Sequence, residues 1–351
     1  MIRLTYSLQR ALKACACFCV MGFAASAYSD ENKLNVYTWS GVIPNFVIQQ
    51  FEKETGIKVN FSTYNSNEIM YAKLRANKAA GYDVIEPSSY YIDRMRRQGL
   101  LEQIDKTKLS HFNNLNPDLL NRSYDPRNEY SIPFIWGVTG IFVSKPETRV
   151  TKWSDLWNKK YAGQLMLLDD AREVFSMALR VLGYSINDND PTHIEQAYFK
   201  LKELMPNVKL FNSDAVITIM VDEDATIGMA WNGDLYKAQK ENPNLAFIFP
   251  DDGFVIWVDN FAIPKNAPHR DNAYKFLNFM MRPDIAKEIS LNNNYPTANL
   301  AAKRLLPDSI QNNATIYPSQ AVLRRGKFQT DISDHAIELY EAYWEKLKME
   351  G

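Results

Sequence analysis

The chain has 351 residues, 46% of them hydrophobic and 23% charged, with no low-complexity tract. That length exceeds one comfortable core and predicts about two domains. With 40 basic against 41 acidic residues and no block of like charge, the sequence argues against a nucleic-acid partner.

Residues 1–27 read as a secretory signal peptide. Arg3, Arg10 and Lys13 form a basic start, and Ala14 to Ala25 is apolar but too short for a mature membrane anchor. Ala25-Ser26-Ala27 is a cleavage signal, so the mature chain is expected to begin at Tyr28. Cys15, Cys17 and Cys19 all fall in this segment; Lys13 sits just before Cys15, and the residues before Cys17 and Cys19 lack the leucine typical of lipoprotein processing. The mature protein is then free of thiols and disulfides and must rely on core burial. Loss of three basic residues leaves a formal charge of −4, which mildly favours cationic ligands.

In chain order, Asn35–Trp39 predicts a strand, Ser40-Gly41 a turn, and Pro44 through Phe46, Val47, Ile48 and Phe51 a helix stopped by Gly56. Residues 57–61 alternate as a strand. Ser66 or Asn67 caps a helix through Met70 and Leu74, Tyr82–Ile85 is a strand, and Ile92–Leu100 a helix. This alternation is the signature of a doubly wound α/β lobe. Tyr130–Gly137 and Thr139–Val143 read as two β-rich runs at a crossing between lobes.

Further on, Trp153–Trp157 predicts a short helix, Gln164–Leu168 a strand, and Ala171–Leu182 and Ile194–Leu204 helices. Val208–Phe211, Ala225–Trp231 and Ala246–Pro250 predict strands, with a helix over Leu235–Lys240. Val255–Pro264, β-rich and interrupted by one acid, Asp259, reads as the return crossing. Ala273–Met281 and Asp284–Ser290 follow as helices, Tyr295-Pro296-Thr297 as a turn, and Ile332–Leu347 as an amphipathic tail that packs on a lobe.

The informative stretch is Leu167 to Phe175. A strand ends, Asp170 and Glu173 stand at capping-box spacing, and a helix opens. Either the acids cap the helix or they face a cation, because ligands in α/β proteins sit at strand C-termini. The same chemistry, an aromatic beside a hydroxyl or carboxylate, recurs at Trp39-Ser40, Ser88-Ser89-Tyr90, Trp231, Trp257 with Asp259, and Tyr295.

With these residues in view, the chain resembles the periplasmic spermidine/putrescine-binding proteins of polyamine ABC transporters. The segments that carry the resemblance are Ser62–Tyr64 through Leu74, Pro87–Tyr91, Asp169–Phe175, Leu204–Val208, Trp231–Gly233 and Tyr295–Thr297. The resemblance implies a two-lobed α/β fold, each lobe a doubly wound sheet flanked by helices, with the ligand in the cleft between. On that pattern lobe 1 comprises residues 28–137 plus 262–305, and lobe 2 residues 138–261 plus 306–351. It implies Trp39, Tyr90, Trp231, Trp257 and Tyr295 as aromatic walls. Asp170, Glu173 and Asp259 become the carboxylates for the amino groups, and Ser40, Ser88 and Gln329 polar contacts. No cofactor, metal or catalytic residue is implied. The expected protein is a monomer that delivers polyamine to a membrane permease by lobe closure. Relatives usually carry an acid and then a tyrosine at positions 41 and 42. Here those positions are Gly41 and Val42. The double substitution Gly41→Glu with Val42→Tyr is therefore expected to tighten spermidine binding.

Two other functions compete with this reading. Paired carboxylates can hydrolyse glycosides, but Asp170 and Glu173 at one helix start lie on the same side of any substrate. No G-x-S-x-G elbow is present, and His111, His193, His269 and His335 are scattered and expected at the surface. A receptor that senses a polyamine or other cationic solute and signals through a membrane protein is the remaining alternative.

Overall fold

The computed structural model describes residues 32–76, 81–145 and 148–350. The expected signal peptide, its cleavage site and the three cysteines lie outside the described residues.

The first part alternates as expected: β1 (Lys33–Trp39), α1 (Asn45–Thr55), β2 (Lys58–Tyr64), α2 (Asn67–Ala76), β3 (Val84–Ile85) and α3 (Ser89–Arg97). The strands form a parallel sheet in the order β2-β1-β3. Helix α1 buries Val47, Ile48 and Phe51 and ends at Gly56, whose φ of 72° lets its N–H bond back to Glu52. Helix α3 starts and stops about three residues earlier than the periodicity predicts. Ser88 holds its N-cap position, and Gly99, at φ 68°, turns the chain before Leu100.

Next comes β4 (Ile132–Val143), buried along its full length. The sequence reads here as two runs, but one strand of 12 residues passes straight through. Gly137 and Gly140 do not break it, because aromatic rings of Trp257 and Phe247 fill the space their missing side chains leave. The remaining elements are β5 (Leu165–Leu167), α4 (Ala171–Val181), α5 (Pro191–Leu204), β6 (Val208–Phe211), α6 (Val216–Val221), β7 (Ile227–Trp231), α7 (Asn232–Ala238), β8 (Ala246–Ile248) and β9 (Phe254–Phe261). The chain closes with α8 (Arg270–Met280), α9 (Pro283–Asn293), three single-turn helices, β10 (Gly326–Phe328) and α13 (Asp334–Glu350). The single turns are α10 (Leu300–Lys303), α11 (Asp308–Gln311) and α12 (Gln320–Leu323).

The larger sheet runs β10-β9-β4-β7-β5-β6, with β8 also on β4. It is mixed: β4 is antiparallel to β7, β8 and β9, while β5 is parallel to β6 and β7. One core takes Ile141, Phe142 and Val143 of β4 with β5, α4, α5, β7 and the α13 stripe Ala336, Tyr340, Trp344 and Leu347. Another takes Ile132, Phe134 and Ile135 of β4 with β1, α1, α8 and α9. Strand β4 thus feeds both. His269 departs from its expected surface position. Its side chain is 14% exposed, with Nδ1 3.0 Å from the wholly buried Asp83 carboxylate.

Candidate ligand-binding site

Strand β4 sets the geometry. Ile135 pairs with Asp259, Gly137 with Trp257 and Thr139 with Trp231. Opposed residues share a face of a sheet, and so do alternate ones. Asp259, Trp257 and Trp231 therefore stand in a row on one face. The Trp257 ring crosses Gly137, where a Cβ would overlap it. Tyr295 sets its ring edge-on to Trp257, centroids 5.2 Å apart, and rests on Gly233 in the same way. Its hydroxyl donates to Asp234 Oδ1 at 2.7 Å.

Two helix starts face this row, since α3 and α4 both pack against β9. At α4, Asp170 accepts from the Glu173 N–H at 3.0 Å, as an N-cap should. The Glu173 side chain is buried instead of closing the capping box, and its Oε2 has no partner. At α3, the Ser88 hydroxyl donates to Asp259 Oδ1 at 2.6 Å. Asn67 Nδ2 donates to Ser88 Oγ and to the Tyr90 hydroxyl, each at 3.0 Å. Arg172 lays its guanidinium over the Tyr90 ring, 5.2 Å from the centroid.

These carboxylates resist ionisation. Burial pushes Asp259 up to about 7, against the Ser88 hydrogen bond. Burial and then the charge of Asp170 push Glu173 up to about 8. Asp170 keeps some solvent contact but is walled in by protein; burial and then Glu68 raise it to about 6. Burial likewise raises Asp234 to about 6. Carboxylates raised in this way are unsatisfied as anions, and a cation that enters among them removes the cause.

The polar atoms tell the same story. Fourteen buried side-chain N and O atoms lack a hydrogen-bond partner among the described residues. Eight of them belong to Trp39, Glu86, Thr139, Arg172, Glu173, Trp257 and Gln329, at or beside this site. Buried polar groups are normally paired, and the unpaired ones concentrate here. Two surface recesses lie elsewhere. One offers Arg75 and Lys265 and no acid. The other offers Arg149 and Lys160 with Asp155, whose carboxylate already caps its own turn.

Of the residues expected from the sequence, Ser88, Tyr90, Asp170, Glu173, Trp257, Asp259 and Tyr295 join through the contacts above. Trp231 packs against both large cores. Trp39 ends β1 with its ring against Tyr64, centroids 4.9 Å apart. Gln329 is buried, and its carbonyl accepts from the Ser89 hydroxyl at 3.1 Å. Ser40 lies exposed in the turn, its backbone N–H donating to Tyr64 O. Sequence reasoning missed Glu86, Asp234, Asn67 and Arg172. Asp234 sits one residue past the Trp231–Gly233 motif, which was the available signal. Gly41 and Val42 also look different in three dimensions. Gly41 sits at φ 74°, and Val42 is buried in the core around α1, its carbonyl accepting from Asn293. An acid at 41 meets backbone strain and a tyrosine at 42 meets a filled core, so the double substitution is not a simple gain.

The family model for bacterial extracellular solute-binding proteins matches residues 47–318. The chain belongs to that family. It is 47% identical over 332 residues to the spermidine/putrescine-binding periplasmic protein of Escherichia coli K12, covering 93% of this chain and 95% of that one. It is 46% identical, over the same shares, to the protein of that name from Salmonella typhimurium. A solved structure described as a putative spermidine/putrescine ABC transporter from Listeria monocytogenes superposes with a TM-score of 0.87 at 34% identity, covering 91% of this chain and 100% of that one. This solute-binding protein therefore has the two-lobed α/β fold of its relatives.

Proposed function

We propose that this protein captures a polyamine, spermidine or putrescine, and hands it to the permease subunits of an inner-membrane ABC transporter, without chemistry on the ligand. The observation that carries the reading is the row of Asp259, Trp257 and Trp231 facing Asp170 and Glu173, with its carboxylates short of partners. Ammonium groups need carboxylates, and the methylenes between them need apolar walls. Aromatic faces supply both, attracting a cation by roughly 0.5–2 kcal/mol each. Asp170, Glu173 and Asp259 take the amino groups; Trp39, Tyr90, Trp231, Trp257 and Tyr295 form the walls. Ser40, Ser88 and Gln329 supply polar contacts.

In this reading the leader is cleaved before Tyr28 and the mature protein works as a periplasmic monomer. Lobe 1 spans 28–137 plus 262–305 and lobe 2 spans 138–261 plus 306–351; the separate apolar cores on the two halves of β4 support two lobes, although Ile186, Val255, Trp257 and Phe261 pack in the core of the first. Closure expels water and strengthens the ion pairs. Calorimetric titration of the ligand-stripped mature protein with spermidine, putrescine and spermine tests the function. Saturable binding of at least one of them is expected. Absence of heat with all three, at low and moderate salt, overturns it.

A further inference from the structure

Glu86 follows β3 directly, two residues before Ser88, and its side chain is 0% exposed. Among the described residues no side chain donates a hydrogen bond to either carboxylate oxygen. Buried acids away from the site are engaged. Asp83 accepts from Asn35 N at 2.7 Å and pairs with His269. Asp125 accepts from Glu129 N, Tyr130 N and the Ser131 hydroxyl. Glu86 has no such support. Its own carbonyl is bonded by the Tyr64 hydroxyl, which fixes the backbone and leaves the side chain unsatisfied. Among the described residues no Lys, Arg or His forms an ion pair with it. The charged and titratable groups that act on it are Asp259 and the neighbouring Tyr64, with the Trp39 backbone N–H the one donor facing it.

A buried carboxylate with a single backbone N–H facing it and no cation is costly, and native proteins rarely retain one without a use. This one lies beside Asp259, which holds the end of the β4 row, and beside Trp39, whose indole N–H is also unpartnered. At the neighbouring end of β1 the chain carries Ser40-Gly41-Val42 and no acid. We propose that Glu86 is a ligand-binding carboxylate, and that Glu86 and Asp259 together form a two-carboxylate seat for one terminal ammonium group of the ligand. The inference rests on the polyamine reading above. The antiparallel bridges Ile85–Ala262 and Ser88–Asp259 set the two segments side by side, and like charges held together there disfavour ionisation of both acids. An ammonium entering between them removes that repulsion and donates hydrogen bonds to both acids. The preference thereby built in is for a primary ammonium, with three donors, over a tertiary or acylated nitrogen.

The test compares wild type with Glu86→Gln, Glu86→Leu and Asp259→Asn, by calorimetric titration with putrescine and spermidine and by thermal unfolding of the ligand-free forms. Glu86→Gln and Glu86→Leu are each expected to weaken binding tenfold or more. Glu86→Leu should also leave the melting temperature of the ligand-free protein unchanged or higher, because it removes an unpaired buried acid with little change in volume. A carboxylate with a purely structural role predicts the reverse: a lower melting temperature with affinity retained. Wild-type binding with unchanged affinity in the Glu86 variants overturns this inference and leaves the polyamine reading intact. Wild type that binds no polyamine removes both.

Discussion

The Trp257 ring lies across the backbone of Gly137, in space that a single methyl group at position 137 would occupy. The two are paired across β4 and β9, so no loop can yield to separate them. Gly137→Ala therefore forces the indole out of the row that holds Asp259 and Trp231. Overpacking of this kind costs about 1–3 kcal/mol of stability. Loss of one aromatic wall costs about 0.5–2 kcal/mol of cation binding, some 2- to 30-fold in polyamine affinity. Thermal unfolding and titration of Gly137→Ala check both, and indole fluorescence reports the displaced ring. Gly233→Ala, which displaces Tyr295, should behave alike.

Asp170 caps α4 and, in the polyamine reading, also takes an amino group; the two roles separate by substitution. Asn caps a helix about as well as Asp, so Asp170→Asn keeps the bond to the Glu173 N–H but loses the charge. Its melting temperature should stay near wild type, while polyamine affinity falls by about 2 kcal/mol or more, roughly 30-fold. Asp170→Ala should lose the affinity and about 1 kcal/mol of stability as well. An Asn variant that binds as tightly as wild type would reduce Asp170 to a cap.

How far the site was legible in the sequence depends on the range of the interaction. The Asp170 cap is a local event, and its spacing to Glu173 was legible, whereas the Ser88 start of α3 and the Asn232 start of α7 each lie about three residues ahead of what periodicity predicts. The alignment of Asp259, Trp257 and Trp231 along β4 was not legible, because register between strands distant in sequence is fixed by tertiary packing. The unity of β4 was hidden for the same reason. A strand buried on both faces shows no alternation, and its two glycines imitate a break. Glu86 escaped because sequence shows an acid but not its burial. Gly41 looked like a lost carboxylate until its backbone conformation gave it a positive reason to be glycine.

Position 41 can be tested directly. At φ 74° a side chain strains the backbone, and nothing lies within 4 Å of the added Cβ to stabilise it. Gly41→Glu should lower stability by about 1 kcal/mol, and Gly41→Asn by less, since Asn tolerates this region. If Gly41→Glu nevertheless tightens spermidine binding in titration, the turn accepts an acid as the family pattern implies. Unchanged affinity together with lower stability would show that the chain has settled on glycine for its turn.

Arg94 and Asp331 make a further contact that can be checked. The Arg94 guanidinium, buried in α3, bonds Asp331 at 3.0 Å and the Ile332 carbonyl at 3.1 Å, next to the buried Gln329. Removing one partner leaves the other unpaired in a poorly solvated place, at a cost of about 3–5 kcal/mol for a buried pair. Asp331→Ala should fall toward the lower end, because Asp334 still pairs with Arg94. Denaturant unfolding measures it, and a change under about 1 kcal/mol, the scale of an exposed pair, would show that the contact is dispensable.

The raised carboxylates make stability and affinity respond to pH in opposite directions. Asp170 and Asp234 at about 6, Asp259 at about 7 and Glu173 at about 8 are all protonated in the folded, ligand-free protein at pH values where the unfolded chain has released those protons. The folded state then binds more protons than the unfolded one, so stability falls as pH rises. The contribution is fully present below the unfolded carboxylate values near about 4 and is lost as pH climbs through about 6 to about 8. The melting temperature of the ligand-free protein should therefore drop between about pH 5.5 and about pH 8.5. Polyamine binding needs the ionised carboxylates, and alkylammonium groups stay charged up to about pH 10. Affinity should rise over the same interval, with net proton release on binding that calorimetry in two buffers of different ionisation enthalpy can count. The ligand-induced increase in melting temperature should accordingly widen toward the alkaline end. Flat profiles for both quantities, with no proton release, would mean that the carboxylates are already ionised in the ligand-free protein and that burial does not hold their protons in place.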